Sequence, residues 1–181
     1  MARVKREKCV TVAPSVPDDS AMRFEIANLQ GVGARKRQED SFTVVNGLDE
    51  EKQLREGLLF VVCDGMGGES FGEVASECAV SVLDEYSSKI KEAYELSVQK
   101  KIVNNYATEA NNSICDEIFK FDGARGGTTL ALGCIRNNII SMYYLGDSRI
   151  YMYRDEILTR LTRDHTVAYE KVDANIYTEE E

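Results

Sequence analysis

The sequence has no tryptophan, one histidine and two prolines. It also has no long apolar run and no excess of positive charge. Each scarcity removes a class of function. With His165 as the only imidazole, a zinc site is excluded in practice, because none of Cys9, Cys63, Cys78, Cys115 and Cys134 forms a C-x-x-C pair either. Four of these cysteines lie in apolar or helical contexts, so they read as reduced thiols in a reducing compartment, which gives a cytoplasmic expectation. No segment is long enough to span a membrane, and the basic start M-A-R-V-K-R-E-K is not followed by the apolar stretch of a signal peptide. Acidic residues outnumber basic ones 31 to 22, for a net charge of −9, which argues against nucleic acid as a partner. Acidic side chains that converge on one point attract divalent cations instead.

What is present suits one domain. The 181 residues are 43% hydrophobic, enough to build a core. Both prolines, Pro14 and Pro17, fall within residues 1–20, which read as a flexible arm ahead of a domain over 21–181. Residues 22–29 alternate well enough for a strand, 41–45 form a second, and 46–57 read as a polar loop. The continuous apolar run 58–63 reads as a strand buried on both faces. The period then changes. Val74, Ala75, Cys78, Ala79, Val82, Leu83 and Tyr86 share a helical face, and Ile102, Tyr106, Ala110, Ile114 and Ile118 follow at steps of four. The stretch 87–99 joins these helices or extends one of them. Strands return over 128–135 and 139–145 around Asn137-Asn138, then over 149–154 and 157–161 around Asp155-Glu156. Strands, two long helices and a meander of strands make an α+β fold.

Three turns carry acids at strand ends: Arg35-Lys36-Arg37-Gln38-Glu39-Asp40, Asp64-Gly65-Met66-Gly67-Gly68, and Gly146-Asp147-Ser148-Arg149. Taken singly, each has a plain reading as a solvated charge pair or an Asp-containing turn. Together they offer an oxygen-only ligand set, which suits hard ions such as Mg²⁺ or Mn²⁺. The glycines after Asp64 let a backbone and a substrate approach closely. Arg35 can hold a phosphate with two parallel hydrogen bonds.

Five segments in order resemble the metal-dependent protein phosphatases (PPM, or protein phosphatase type 2C). They are R-K-R-Q-E-D-S-F from Arg35, F-V-V-C-D-G-M-G-G from Phe60, G-G-T-T-L from Gly126, G-D-S-R-I-Y from Gly146 and L-T-R-D-H-T from Leu161. Met66 after Asp-Gly resembles bacterial members. The resemblance implies two antiparallel β-sheets packed face to face with helices outside. It implies hydrolysis of phosphoserine and phosphothreonine in proteins by a water bridging two Mn²⁺ or Mg²⁺ ions. Asp64 would bridge both metals, and the Gly65 carbonyl would bind one. Glu39 or Asp40 would hold that same metal, directly or through water. Asp147 would match the acid of a third, weaker site, and Arg35 would bind the substrate phosphate. The partners would be phosphorylated proteins, the products of a Ser/Thr kinase, with no nucleic acid and no membrane.

The sequence departs from the family in two places. Related eukaryotic enzymes carry a histidine after Asp-Gly, often cast as the general acid; Met66 cannot donate a proton. His165 is expected to play a structural part or to support a residue of the site. The family also carries two further metal-binding aspartates downstream, and the chain ends at Glu181 before either. The expectation is therefore a phosphatase domain incomplete at its C-terminus, which makes an inactive fragment an option. The alternative is a non-catalytic phosphopeptide-binding or regulatory module. A nucleotide-binding loop at Gly65–Gly68 is disfavoured, since no lysine follows as a P-loop requires.

Overall fold

The computed structural model describes residues 10–12, 24–67 and 71–173. The chain runs β1 (Val10–Val12), β2 (Asp40–Val45), α1 (Glu50–Glu56), β3 (Leu58–Gly67), α2 (Phe71–Glu92), α3 (Leu96–Ile118), β4 (Gly126–Thr128), β5 (Leu130–Arg136), β6 (Ile139–Leu145), β7 (Tyr151–Arg154), β8 (Ile157–Arg160) and α4 (Val167–Asp173). The architecture is α+β, with two antiparallel sheets and helices. The larger sheet has the order β1-β6-β5-β3-β2, and β4 also pairs with β3. The second sheet is the ribbon β7-β8.

Period-2 alternation decides what each strand buries. Leu59, Val61 and Cys63 of β3, Leu132 and Cys134 of β5 and Tyr143 of β6 point to one face, where they pack into a single core with the helices. Helical spacing supplies the matching stripes: Ala75, Ala79, Leu83 and Ile90 from α2, and Val103, Tyr106, Ala110, Ile114 and Ile118 from α3. A fully buried Leu or Ile of this kind contributes about 1.5–3 kcal/mol. Where α2 and α3 meet, the buried Tyr106 hydroxyl donates to the Ala79 carbonyl at 2.8 Å. Burial pushes the Cys63 thiol up to about 12 and that of Cys134 up to about 11, so both act as packing groups rather than nucleophiles. Cys63, Cys78, Cys115 and Cys134 are free thiols, as read, and Cys9 lies outside the described residues.

Several expectations need correction. Strand β3 is not buried on both faces: among the described residues the helices cover one face, and Val62 on the other is 46% exposed. Residues 24–30 form no strand, and residues 22 and 23 lie outside the described residues. The polar loop 46–57 contains helix α1. Asp49 caps it by accepting from the Lys52 N–H at 3.0 Å, and Gly57 ends it at φ 79°. Residues 87–92 extend α2. Within the expected arm, Val10–Val12 pairs with β6, and the rest of residues 1–20 lies outside the described residues. The expected strand over 128–135 is two strands separated at Thr129. No helix of the described residues is long and apolar enough to cross a membrane.

Candidate active site

The first acid pair follows from strand register. Asp40 faces Asp64 across β2 and β3. The Gly65 N–H donates to the Glu39 carbonyl at 3.1 Å, so Glu39 and Gly65 form a hydrogen-bonded pair. The next pair along, Asp40 and Asp64, is then the non-hydrogen-bonded kind, in which opposed Cα atoms lie about 4.5 Å apart and side chains come closest. Two carboxylates are thus held side by side on the open face of the sheet. The Asp64 carboxyl is pushed above the ordinary range, first by burial, then by the charge of Asp40 and a hydrogen bond shared with it. Asp147 adds in the same direction, and Arg35 opposes. A group under these influences gains from a nearby cation.

Glu39 and Asp40 alternate in direction. The Glu39 side chain packs against Gly72 at the start of α2, and its carboxylate takes Arg35 Nη1 at 3.4 Å. The Asp40 backbone is fixed by glutamines: its N–H and that of Glu39 donate to Gln38 Oε1 at 3.3 and 3.1 Å, and its carbonyl accepts from Gln30 Nε2 at 3.1 Å. The Arg35 side chain itself is 70% exposed.

The glycines after Asp64 are not a bare loop. Strand β3 continues through Gly67, and Gly65, Met66 and Gly67 pair with Thr128, Gly127 and Gly126. A side chain at Gly65 would collide with the carbonyl oxygens of Gly72 and Glu39. Glycine here permits α2 to begin against the end of β3. Met66 is 56% exposed and offers no proton.

The third acid sits in a heavily tied turn. The Gly146 carbonyl accepts from the His165 N–H at 2.9 Å, and its N–H donates to His165 Nδ1 at 3.3 Å. His165 also stacks on Tyr144 at 5.1 Å, a structural role. Arg149 forks onto Asp164, with Nη2 to Oδ2 at 2.7 Å and Nε to both oxygens at 3.2 Å. Arg160 binds the same carboxylate, and together the arginines hold Asp164 below the usual carboxylate range. Asp164, Thr129 and Ser148 lie in quoted motifs, but nothing in a linear reading pairs them. Their contacts span 15 to 65 residues.

Asp40 and Asp64 therefore stand together at the end of β3, and the charge of Asp147 bears on Asp64. Among the described residues, however, no three His, Cys, Asp or Glu side chains form a group able to hold an ion. The donors that are present suit a hard divalent cation by type.

The sequence profile of the protein phosphatase 2C family matches residues 38–179. The chain belongs to the protein phosphatase 2C family. Among bacterial relatives, it is 29% identical over 144 residues to serine/threonine protein phosphatase PstP of Mycobacterium tuberculosis, covering 76% of this chain and 26% of that protein. It is 30% identical over 142 residues to serine/threonine phosphatase stp of Listeria innocua, covering 75% of this chain and 52% of that protein. The putative protein phosphatase 2C-type of Streptococcus pyogenes is 31% identical over 150 residues, covering 83% and 58%. The chain thus spans between about a quarter and three fifths of the curated relatives it matches. The crystal structure of M. tuberculosis PstP superposes with a TM-score of 0.61 at 25% identity, over 97% of this chain and 61% of that one. The PstP catalytic domain in complex with two manganese ions superposes at 0.63 and 24% identity, over 97% and 62%, a likeness of fold.

Proposed function

We propose that the chain forms part of a metal-dependent phosphatase that removes phosphate from phosphoserine and phosphothreonine in proteins, with Mn²⁺ or Mg²⁺ as cofactor. Family membership supports this reading, and one observation carries it to these residues. Register forces Asp40 and Asp64 together at the end of β3, with the charge of Asp147 also bearing on Asp64. Asp64, Asp40, Asp147 and the Gly65 carbonyl would hold the cations. When bound, divalent ions acidify water and offset charge on a transferring phosphoryl group. Arg35 binds the phosphate: its guanidinium is exposed and, among the described residues, held only by a long contact to Glu39, so it can swing to an anion and grip it bidentately. Glu39 then acts on Arg35. Met66 donates no proton to the leaving alcohol. The substrates are phosphoproteins, of the kind a Ser/Thr kinase produces.

A second reading, a phosphopeptide-binding module without hydrolysis, is favoured by the lack of a three-acid group among the described residues. Hydrolysis of a phosphothreonine peptide separates the two. In the whole protein of which this chain forms part, turnover is expected with Mn²⁺ and not in excess chelator. Arg35→Lys is expected to raise KM about tenfold or more, since a charge-assisted contact is worth about 1.5–3 kcal/mol. Full turnover in chelator would refute the metal-dependent reading. Tight peptide binding with no turnover at any Mn²⁺ concentration would favour the module.

A further inference from the structure

Residues 146–150 are tied at four of five positions. Gly146 exchanges two hydrogen bonds with His165. Arg149 forks onto the buried Asp164. The Ile150 N–H donates to Thr162 Oγ1 at 3.0 Å, and its carbonyl accepts from the Leu161 N–H at 2.8 Å. Ser148 Oγ lies 2.6 Å from Thr129 Oγ1. Only the Asp147 carboxylate has no hydrogen bond or ion pair among the described residues.

Of these ties, the one at Ser148 reaches the acid pair. Thr129 is 3% exposed. Its Oγ1 accepts from the Asp64 N–H at 3.0 Å, and its own N–H donates to the Asp64 carbonyl at 2.9 Å. A hydroxyl that already accepts from an amide still has its proton to give, and Ser148 Oγ is in reach of it. The same side chain sets how closely the turn approaches. Gly146 has φ 94°, and a Cβ there would lie 2.8 Å from Thr129 Cγ2. Thr129 therefore touches both acid-bearing segments, one through Asp64 and the other through Ser148 and Gly146.

We propose that Thr129 and Ser148 are positioning residues, whose hydroxyl pair, half-buried at Ser148 and buried at Thr129, ties the Asp147 turn to the strand end that carries Asp64 and so sets the separation of the two carboxylates. Neither hydroxyl needs to touch a cation or a substrate. The consequence for metal binding rests on the functional reading above. The consequence for the turn does not.

The test uses this chain with two readouts: amide hydrogen exchange at Gly146 and Ile150, and Mn²⁺ titration. Ser148→Ala removes the tie but leaves the Thr129 bond to the Asp64 N–H in place. It is expected to speed exchange at both amides about tenfold, to leave the Leu132 amide unchanged, and to weaken Mn²⁺ binding about tenfold, the lower end of what loss of a ligand-orienting contact costs. Thr129→Val is expected to loosen the turn likewise and to weaken Mn²⁺ binding at least as much, since it also takes the acceptor from the Asp64 N–H, and Thr129→Ser, which keeps the hydroxyl, to restore both readouts. In an Asp147→Asn background, Ser148→Ala is expected to cost no further Mn²⁺ affinity, because it acts through Asp147. Equal losses in both backgrounds would overturn the proposal. So would a loosened turn with unchanged Mn²⁺ binding, which would make the tie structural only. If the unsubstituted chain binds no Mn²⁺ at all, the functional reading fails first, before any variant is made, and the proposal falls with it.

Discussion

Gly65 and Gly72 pass each other so closely that a side chain has no room at Gly65 and a tight fit at Gly72. A Cβ at Gly65 would overlap the carbonyl oxygens of Gly72 and Glu39, and one at Gly72 would lie 3.0 Å from the Gly65 carbonyl carbon. In Gly65→Ala the colliding atoms are backbone on both sides, and the Glu39 carbonyl is already engaged by the Gly65 N–H at 3.1 Å. Relief requires the first turn of α2 or strand β2 to move. Forcing one extra carbon into a packed site costs about 1–3 kcal/mol, and two rigid neighbours place this case near about 3 kcal/mol. For a chain of this size each kcal/mol lowers Tm by about 2–4 °C, so a fall of about 6–12 °C is expected. Gly127→Ala is the control. It lies on the strand paired with the same segment, and a Cβ there meets nothing within 4 Å. Its expected change is within about 0.5 kcal/mol. Thermal melts followed by far-UV circular dichroism compare the two. If Gly65→Ala melts with Gly127→Ala, the close approach of α2 to the strand end is wrong.

Two further outcomes are expected. Asp164 is held below its ordinary value of 3.8 by Arg149 first and then Arg160. A depressed carboxyl stabilises above its unfolded value, and that contribution disappears as pH falls through the folded one. Tm should therefore drop as pH falls below about 4, and Asp164→Asn should flatten that limb in a Tm-against-pH series; an unchanged limb would remove Asp164 from the acid response. Tyr106→Phe deletes the hydroxyl that donates to Ala79 between α2 and α3, and urea melts should show a loss of about 1 kcal/mol. No loss would mean that the bond contributes nothing net.

The long helices were legible because burial imposes their spacing. Tyr106, Ala110, Ile114 and Ile118 step by four, and all four are buried. Helix α1 hides from the same logic, since it buries only Gln53 and is announced by its caps rather than by an apolar stripe. The end of β3 reads as a loop because glycines favour turns. Its ladder depends on β4, some sixty residues away, which periodicity cannot reveal. The acids of the site were legible as motifs and as a set, yet the choice between Glu39 and Asp40 was not. Register decides that Asp40, rather than Glu39, stands beside Asp64, because adjacent residues on a strand point to opposite faces. The contacts of Thr129 with Asp64 and Ser148 lay outside any local signal for the same reason.

Calorimetric titration of Mn²⁺ into this chain and into Asp64→Asn tests the assignment of the acid pair most directly. Asp64→Asn keeps the shape of the side chain and removes its charge, so a cation held there loses both a strong ligand and charge balance. Saturable binding is expected in the unsubstituted chain, at least about tenfold weaker in Asp64→Asn. Equal affinity in the two would show that the carboxylates at the end of β3 do not hold the metal.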